Sequence, residues 1–157
     1  MTLDNTLKSR ENFISLLNAY SVEALNQIPE GYNNNLIWNF GHVIVSQQLL
    51  CYKLSGLEMY VSDEMVQTYR KGSKPERTIE EGEINQLKEL AVQTIAHLRK
   101  DLDKGLFRNY HEYPTSFGIT LHNIDEAVQF NSMHEALHLG YAMAQRKLLD
   151  KAALSGV

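Results

Sequence analysis

The sequence lacks most of the features that would assign it a function class at once. It has one cysteine, Cys51, in 157 residues, so no internal disulfide can form and a disulfide-stapled secreted scaffold is excluded. Positive charge is not in excess: 15 Lys and Arg stand against 19 Asp and Glu, a net charge of −4, and no basic tract interleaves with aromatics. That balance leaves no footprint for nucleic acid or an anionic membrane surface. No apolar run approaches the roughly eighteen residues of a membrane span. The first residues, Met1 to Leu17, are polar and charged where a signal peptide needs an apolar core. A cytoplasmic protein with no nucleic-acid or membrane partner is expected. Residues 1–157 are long enough for one domain with a substantial core.

What is present is helical periodicity. Residues 4–28 carry Leu7, Ile14, Leu17, Ala24, Leu25 and Ile28 at helical spacing, and Pro29 and Gly31 stop the pattern. The short link predicts an antiparallel return. Asn33, Asn34 and Asn35 offer caps for a second helix from Leu36 to about Leu54, with Trp38, His42, Val45 and Leu49 on one face. Gly41 in that helix makes sense if a backbone or ligand comes close beside His42, or as a tolerated surface glycine. Cys51 lies nine residues from His42, about 180° around the helix, and reads as packing.

A long connection follows, with a short helix predicted over Asp63 to Tyr69 and a turn at Gly72, Ser73 and Pro75. It is long enough to run the length of a bundle and let the third helix lie parallel to the second. Thr78-Ile79-Glu80-Glu81 reads as a capping box, followed by the stripe Ile84, Leu87, Ala91, Ile95, Leu98 and Leu102. Residues 106–122 form a second long, aromatic-rich connection without strand patterning. Asn123 to Glu126 then opens a fourth helix running to about Asp150. The expected fold is all-α: four helices with two long connections.

Histidine supplies the chemistry. His134-Glu135-Ala136-Leu137-His138 puts two imidazoles about 40° and one turn apart, so both can grip one ion from a rigid backbone. A hydrogen-bonded core histidine is the ordinary fate of any single His, and the pair alone is a weak signal. It gains weight from the seam beside it, Phe130, Met133, Leu137, Ala144 and Leu148, read as core-facing, and from His42 on the inner face of the second helix. His42, His134 and His138 are the candidate metal ligands. The same motif invites a zinc-peptidase reading with Glu135 as general base, but no His follows His138 and no strand is expected to hold a peptide. Glu135 lies about 100° from His134, so orienting a neighbour or pairing with a cation on the helix surface is its plainer role. It is the one candidate catalytic residue. Tyr141 and Asn131 are candidates to hydrogen-bond the ligands, Trp38 to wall the site, and His111, Tyr113 and His122 to line an entrance.

The pieces Asn35-Leu36-Ile37-Trp38-Asn39-Phe40-Gly41-His42, Phe117-Gly118-Ile119-Thr120-Leu121 and His134-Glu135-Ala136-Leu137-His138-Leu139-Gly140 resemble the DinB-like (damage-inducible) superfamily over nearly the whole chain. The resemblance implies an up-down-down-up four-helix bundle, often dimeric. It implies a divalent metal on His42, His134 and His138, with water or substrate completing the shell: zinc or nickel first, iron or manganese after them. Some relatives are thiol-dependent transferases and isomerases. The leading expectation is a metal-dependent thiol S-transferase acting on a small electrophile, with a low-molecular-weight thiol as cosubstrate. The alternatives are a non-catalytic metal-stabilised stress or binding module, and a metal-dependent hydrolase of a small molecule.

Overall fold

The helix from Leu36 to Cys51, α3, is buried at every residue except Leu49, and the other elements are arranged around it. The structure, a computed structural model, describes residues 3–155, with side chains described through Lys151. The helices are α1 (Asp4–Leu17), α2 (Val22–Asn26), α3, α4 (Asp63–Tyr69), α5 (Glu81–Asp103) and α6 (Ile124–Ser155). Four of them, α1, α3, α5 and α6, form the bundle. Each of α1 and α3 packs on both α5 and α6, and the α3–α6 seam is the most extensive.

Pairwise contacts fix the directions. Thr6 meets Ser132, Arg10 meets Glu135 and Tyr20 meets Asp150, so α1 and α6 run parallel. Asp4 pairs with Arg99 while Arg10 reaches Ala91, so α5 runs against α1. Asn39 faces Gln145 while Leu50 packs with Phe130, so α3 runs against α6. The order is up-down-down-up, as expected. Among the described residues no helix is long and apolar enough to cross a membrane.

Several elements differ locally from the sequence reading. The first predicted helix is two: α1 ends at Leu17, and Ser21 caps α2 by accepting from the Ala24 N–H at 3.3 Å. Among the three asparagines, Asn35 caps α3, its Oδ1 accepting from the Trp38 N–H at 2.9 Å. That helix stops at Cys51, tightens into a 3₁₀ turn over Lys53–Ser55, and reverses at Gly56 with φ 70°. The capping box at Thr78 does not form. Ile79 is buried, and its N–H and C=O are both held by the Asn26 side chain at 2.7 and 2.9 Å, so the chain stays extended and α5 begins at Glu81. The cap at Asn123 does form, with Asn123 Oδ1 accepting from the Glu126 N–H at 3.0 Å, while the Glu126 carboxylate reaches back to the His122 N–H at 2.8 Å. Within the second connection, Tyr113–Pro114 pairs antiparallel with Thr120–Leu121, a two-residue ladder that the sequence pattern did not signal.

The largest departure is the rotation of α6. Met133, Leu137, Tyr141 and Leu148 are exposed, whereas Val128, Asn131, Glu135, Ala142, Gln145 and Leu149 face the interior. The apolar seam expected to line the core therefore lies mainly outside. Polar groups claim the inside because they are paired there. Arg10 is fully buried and grips Glu135 through Nε to Oε2 at 2.9 Å and Nη2 to Oε1 at 2.8 Å. Its Nη1 donates to Ala91 O and Thr94 Oγ1, each at 2.7 Å, and Asn131 Nδ2 donates to Glu135 Oε1 at 2.7 Å. Three helices thus meet at one bidentate, hydrogen-bonded ion pair.

Removing one partner of such a pair strands a buried charge. Arg10→Ala should cost about 3–5 kcal/mol in urea unfolding, and an Arg10→Met, Glu135→Leu double variant should recover most of that loss.

Candidate metal centre

His42 arrives on α3, while His134 and His138 occupy successive turns of α6 on the side that meets α3. One nitrogen from each imidazole lies within 4.8 Å of one from both others. Ring centroids are separated by 5.2 Å for His42–His134, 4.6 Å for His42–His138 and 4.5 Å for His134–His138. The three candidate ligands are brought together across the α3–α6 seam.

Two of the rings are held by their Nδ1 atoms. His42 Nδ1 lies 2.7 Å from the Tyr69 carbonyl, which can only accept, so Nδ1 carries the proton and Nε2 presents its lone pair. That lone pair meets the Ser46 hydroxyl at 3.2 Å. His138 Nδ1 lies 2.9 Å from Asn39 Oδ1. The orientation of Asn39 is settled by its amide nitrogen, which donates to Asn34 Oδ1, Asn35 O and Gln145 Oε1. Its oxygen must therefore accept, and His138 likewise keeps Nε2 free. The indole of Trp38 stacks on His42 at 4.8 Å and 10°, fixing the ring plane. Its Nε1–H donates to Ser73 Oγ at 3.1 Å.

Gly41 explains why Tyr69 can reach His42. A Cβ at this position would lie 2.4–2.6 Å from the Tyr69 ring, well inside contact distance. The crossover helix α4 therefore rests on α3 at the one residue without a side chain, and its last carbonyl lands on the neighbouring imidazole. Of the two readings of Gly41, the close approach is the one realised.

Burial governs the electrostatics. Desolvation lowers the pKa of all three histidines. His134 falls to about 4 and His138 to about 3, with like-charge repulsion within the cluster adding to the effect of burial. The imidazoles are neutral near pH 7, the state in which they bind metal. His134 Nδ1 is buried without a hydrogen-bond partner. A bare nitrogen of this kind costs on the order of 1–3 kcal/mol and marks a cluster that a non-protein group would complete. The donor set fits a borderline divalent metal.

A cleft of about 250 Å³ opens over His42 and His134, walled by Leu49, Leu50, Leu54 and Phe130, with Tyr113 at its edge. His111 and His122 lie outside it: the His111 backbone N–H bonds Leu54 O, and the His122 ring meets Glu112 at 3.1 Å on the surface. Glu135 is also outside the cluster. The cation it pairs with is Arg10, and the pair is buried rather than on the helix surface as expected. Asn131 bonds Glu135 instead of an imidazole, and Tyr141 packs edge-on against Tyr32. Cys51 is buried at the far end of α3, and burial pushes its thiol pKa up. Sequence reading missed Tyr69, Asn39 and Ser46. Gly41 was the one signal pointing towards Tyr69, and Asn39, one turn from His42 inside the helix, carried none.

The sequence profile described as the DinB superfamily matches residues 6–142, most of the chain. The chain belongs to the DinB superfamily. This DinB protein also resembles the crystal structure of a conserved protein from Enterococcus faecalis, with a TM-score of 0.65 over 94% of each chain at 13% identity. At that identity the likeness speaks for the shared fold alone. No curated protein matches the chain. Membership and the clustered imidazoles together are compatible with metal binding.

Two outcomes follow from this geometry. Gly41→Ala should destabilise the protein by about 1–3 kcal/mol through overpacking against Tyr69. Gly140→Ala, at a position with nothing within 4 Å, should be neutral or stabilising in the same urea titration. In metal-free protein the histidine pKa values lie below the unfolded value near 6.5, so the unfolded chain takes up protons that the folded one refuses. Stability should be full above about pH 6.5 and fall towards about pH 4, with a slope near 1.4 kcal/mol per pH unit for each such histidine. Urea unfolding across that range, compared with a His134→Gln, His138→Gln variant whose slope should be shallower, measures this.

Proposed function

We propose that His42, His134 and His138 hold a divalent metal ion, zinc or nickel first and iron or manganese after them. On this reading the centre delivers a low-molecular-weight thiol to a small electrophile, which makes the protein a metal-dependent thiol S-transferase. The observation that carries the reading is the cleft opening onto His42 and His134, two of the three clustered neutral imidazoles. Three protein ligands with an open side is a catalytic rather than a structural arrangement. A bound ion would supply Lewis acidity, lowering the pKa of a thiol in that open position.

The chain's own residues do the positioning. Tyr69 O and Asn39 Oδ1 keep the protons of His42 and His138 on Nδ1, so their Nε2 atoms stay available. Leu49, Leu50 and Phe130 give the acceptor an apolar wall. Cys51 is buried away from the cluster, so the sulfur is brought by the cosubstrate. A carbon–sulfur bond forms as a carbon–halogen bond breaks, halide departs with the electron pair, and the thiol proton passes to solvent. A hydrolytic reading would want Glu135 as base, but its carboxylate is engaged by Arg10 and Asn131.

Elemental analysis of tag-free protein beside His42→Ala, His134→Ala and His138→Ala variants tests the centre. Near-stoichiometric metal in the parent and about tenfold weaker retention in each variant are expected; equal metal in all four would falsify the site. Turnover of chlorodinitrobenzene with cysteine, glutathione or bacillithiol tests the reaction. Full metal content without conjugation by any of these thiols would leave a metal-stabilised binding module.

A further inference from the structure

The cleft over the imidazoles has a charge opposite to that of the protein. Lys53, on the 3₁₀ turn after α3, and Lys71, just beyond α4, both line it, and no carboxylate does among the described residues. This occurs in a chain whose net charge is −4. Neither lysine's ammonium group makes an ion pair or hydrogen bond among the described residues. In the larger cleft of about 550 Å³ behind Trp38, Lys74 stands beside the carboxylate-bearing Glu76 and the two arginines are engaged. There Arg77 is committed to Glu83 at 2.8 Å and Arg70 to Gln67 at 2.9 Å.

The rest of the lining is divided by chemistry. Leu49, Leu50, Leu54 and Phe130 present an apolar wall, and Ser46, Thr115 and Ser116 present hydroxyls. Two of the imidazoles, His42 and His134, complete the lining. The two ammonium groups come from different segments, on the turn that ends α3 and on the crossover that follows α4, and the fold brings them to one opening. An exposed lysine without a partner is common; two at the same cleft with no balancing carboxylate give a local positive potential where the chain as a whole repels anions.

We infer that this cleft selects an amphiphilic anion, a small molecule with a short apolar body and a carboxylate or comparable anionic head, which Lys53 and Lys71 receive at the mouth while the apolar body lies along Leu49, Leu50 and Phe130. The inference deepens the transferase reading by naming the acceptor's class, and rests on it for treating this cleft as the substrate's place. The lysines act as point charges rather than as a shaped fork, so they discriminate by charge more than by head-group geometry. They also set a salt dependence, because exposed charges at a cleft mouth are screened at about 8–10 Å near physiological ionic strength.

Binding of octanoate and of octanamide, followed by backbone amide shifts in both metal-free and zinc-loaded protein, separates this inference from the reaction itself. Octanoate should perturb the amides around Leu49, Lys53 and Lys71 and bind about tenfold more tightly than octanamide, as two exposed ion pairs at the upper end of their usual worth allow. A Lys53→Ala, Lys71→Ala variant should lose that preference, a Lys53→Glu, Lys71→Glu variant should reverse it, and raised salt should erode it in the parent. Equal affinity for the two probes, no shifts from either, or an octanoate preference that survives both lysine variants would overturn the inference. A preference present only with zinc and untouched by the lysines would do the same, since the carboxylate would then be ligating the ion. None of these readouts depends on thiol transfer, so a failed conjugation assay leaves the inference standing, and a failed binding test leaves the transferase reading standing.

Discussion

The buried pair between Arg10 and Glu135 is the constraint from which the site's geometry follows. Two charges taken out of water must find each other and saturate their remaining hydrogen-bonding groups, and here the guanidinium reaches α5 and α6 at once. A forked contact tolerates little rotation. It therefore fixes not only where α6 lies but which way it is turned. His138 is three residues after Glu135 and His134 one residue before it, about 60° and 100° away on the same side of the helix. With Glu135 turned towards α1 and α5, both imidazoles fall on the flank that meets α3.

A second layer of contacts converts proximity into a defined donor set. The Tyr69 carbonyl and Asn39 Oδ1 each settle a tautomer, and each is itself held: Tyr69 by its seat on Gly41, Asn39 by three acceptors for its amide nitrogen. The crossover containing α4 is thus part of the site rather than a connector around it. Because Tyr69 is buried and its hydroxyl is tied to Glu83 on α5, it couples His42 to two elements besides its own, α4 and α5. Burial then keeps the rings neutral, and the same desolvation that favours metal binding disfavours the metal-free state in acid.

Much of this was legible in the sequence where local chemistry decides the outcome. The periodic stripe of α5, the Asn35 and Asn123 caps, the short helix over Asp63–Tyr69 and the crossover length all rest on spacing and turn residues, and the structure carries them. The His42–His134–His138 grouping was legible from the i,i+4 spacing on one helix and the inner-face position on another, but the seam that lent the pair weight lies mainly outside, and the turn of α6 that brings the pair to α3 rests on Arg10. What was not legible required partners far along the chain. Leu137 and Met133 are as apolar as any core residue. Only the distant Arg10 makes it favourable for Glu135, rather than either of them, to face inward. Likewise Thr78 has a good capping sequence, but Asn26 holds Ile79 extended and the helix starts later. Hydrophobic pattern assigns a face when polar residues stay outside, and misassigns it when a satisfied polar cluster takes the interior.

The ion pair also joins residues 125 apart in sequence, from the first helix to the last. During synthesis Arg10 is made long before Glu135, and a buried guanidinium without its carboxylate is too costly to persist. The first helix therefore has no stable seat in the bundle until the last one is made. His42 too must wait, because the imidazoles it meets are in that same final segment. Because the site joins residues from both ends of the chain, a chain still short of His138 does not offer the three histidines together.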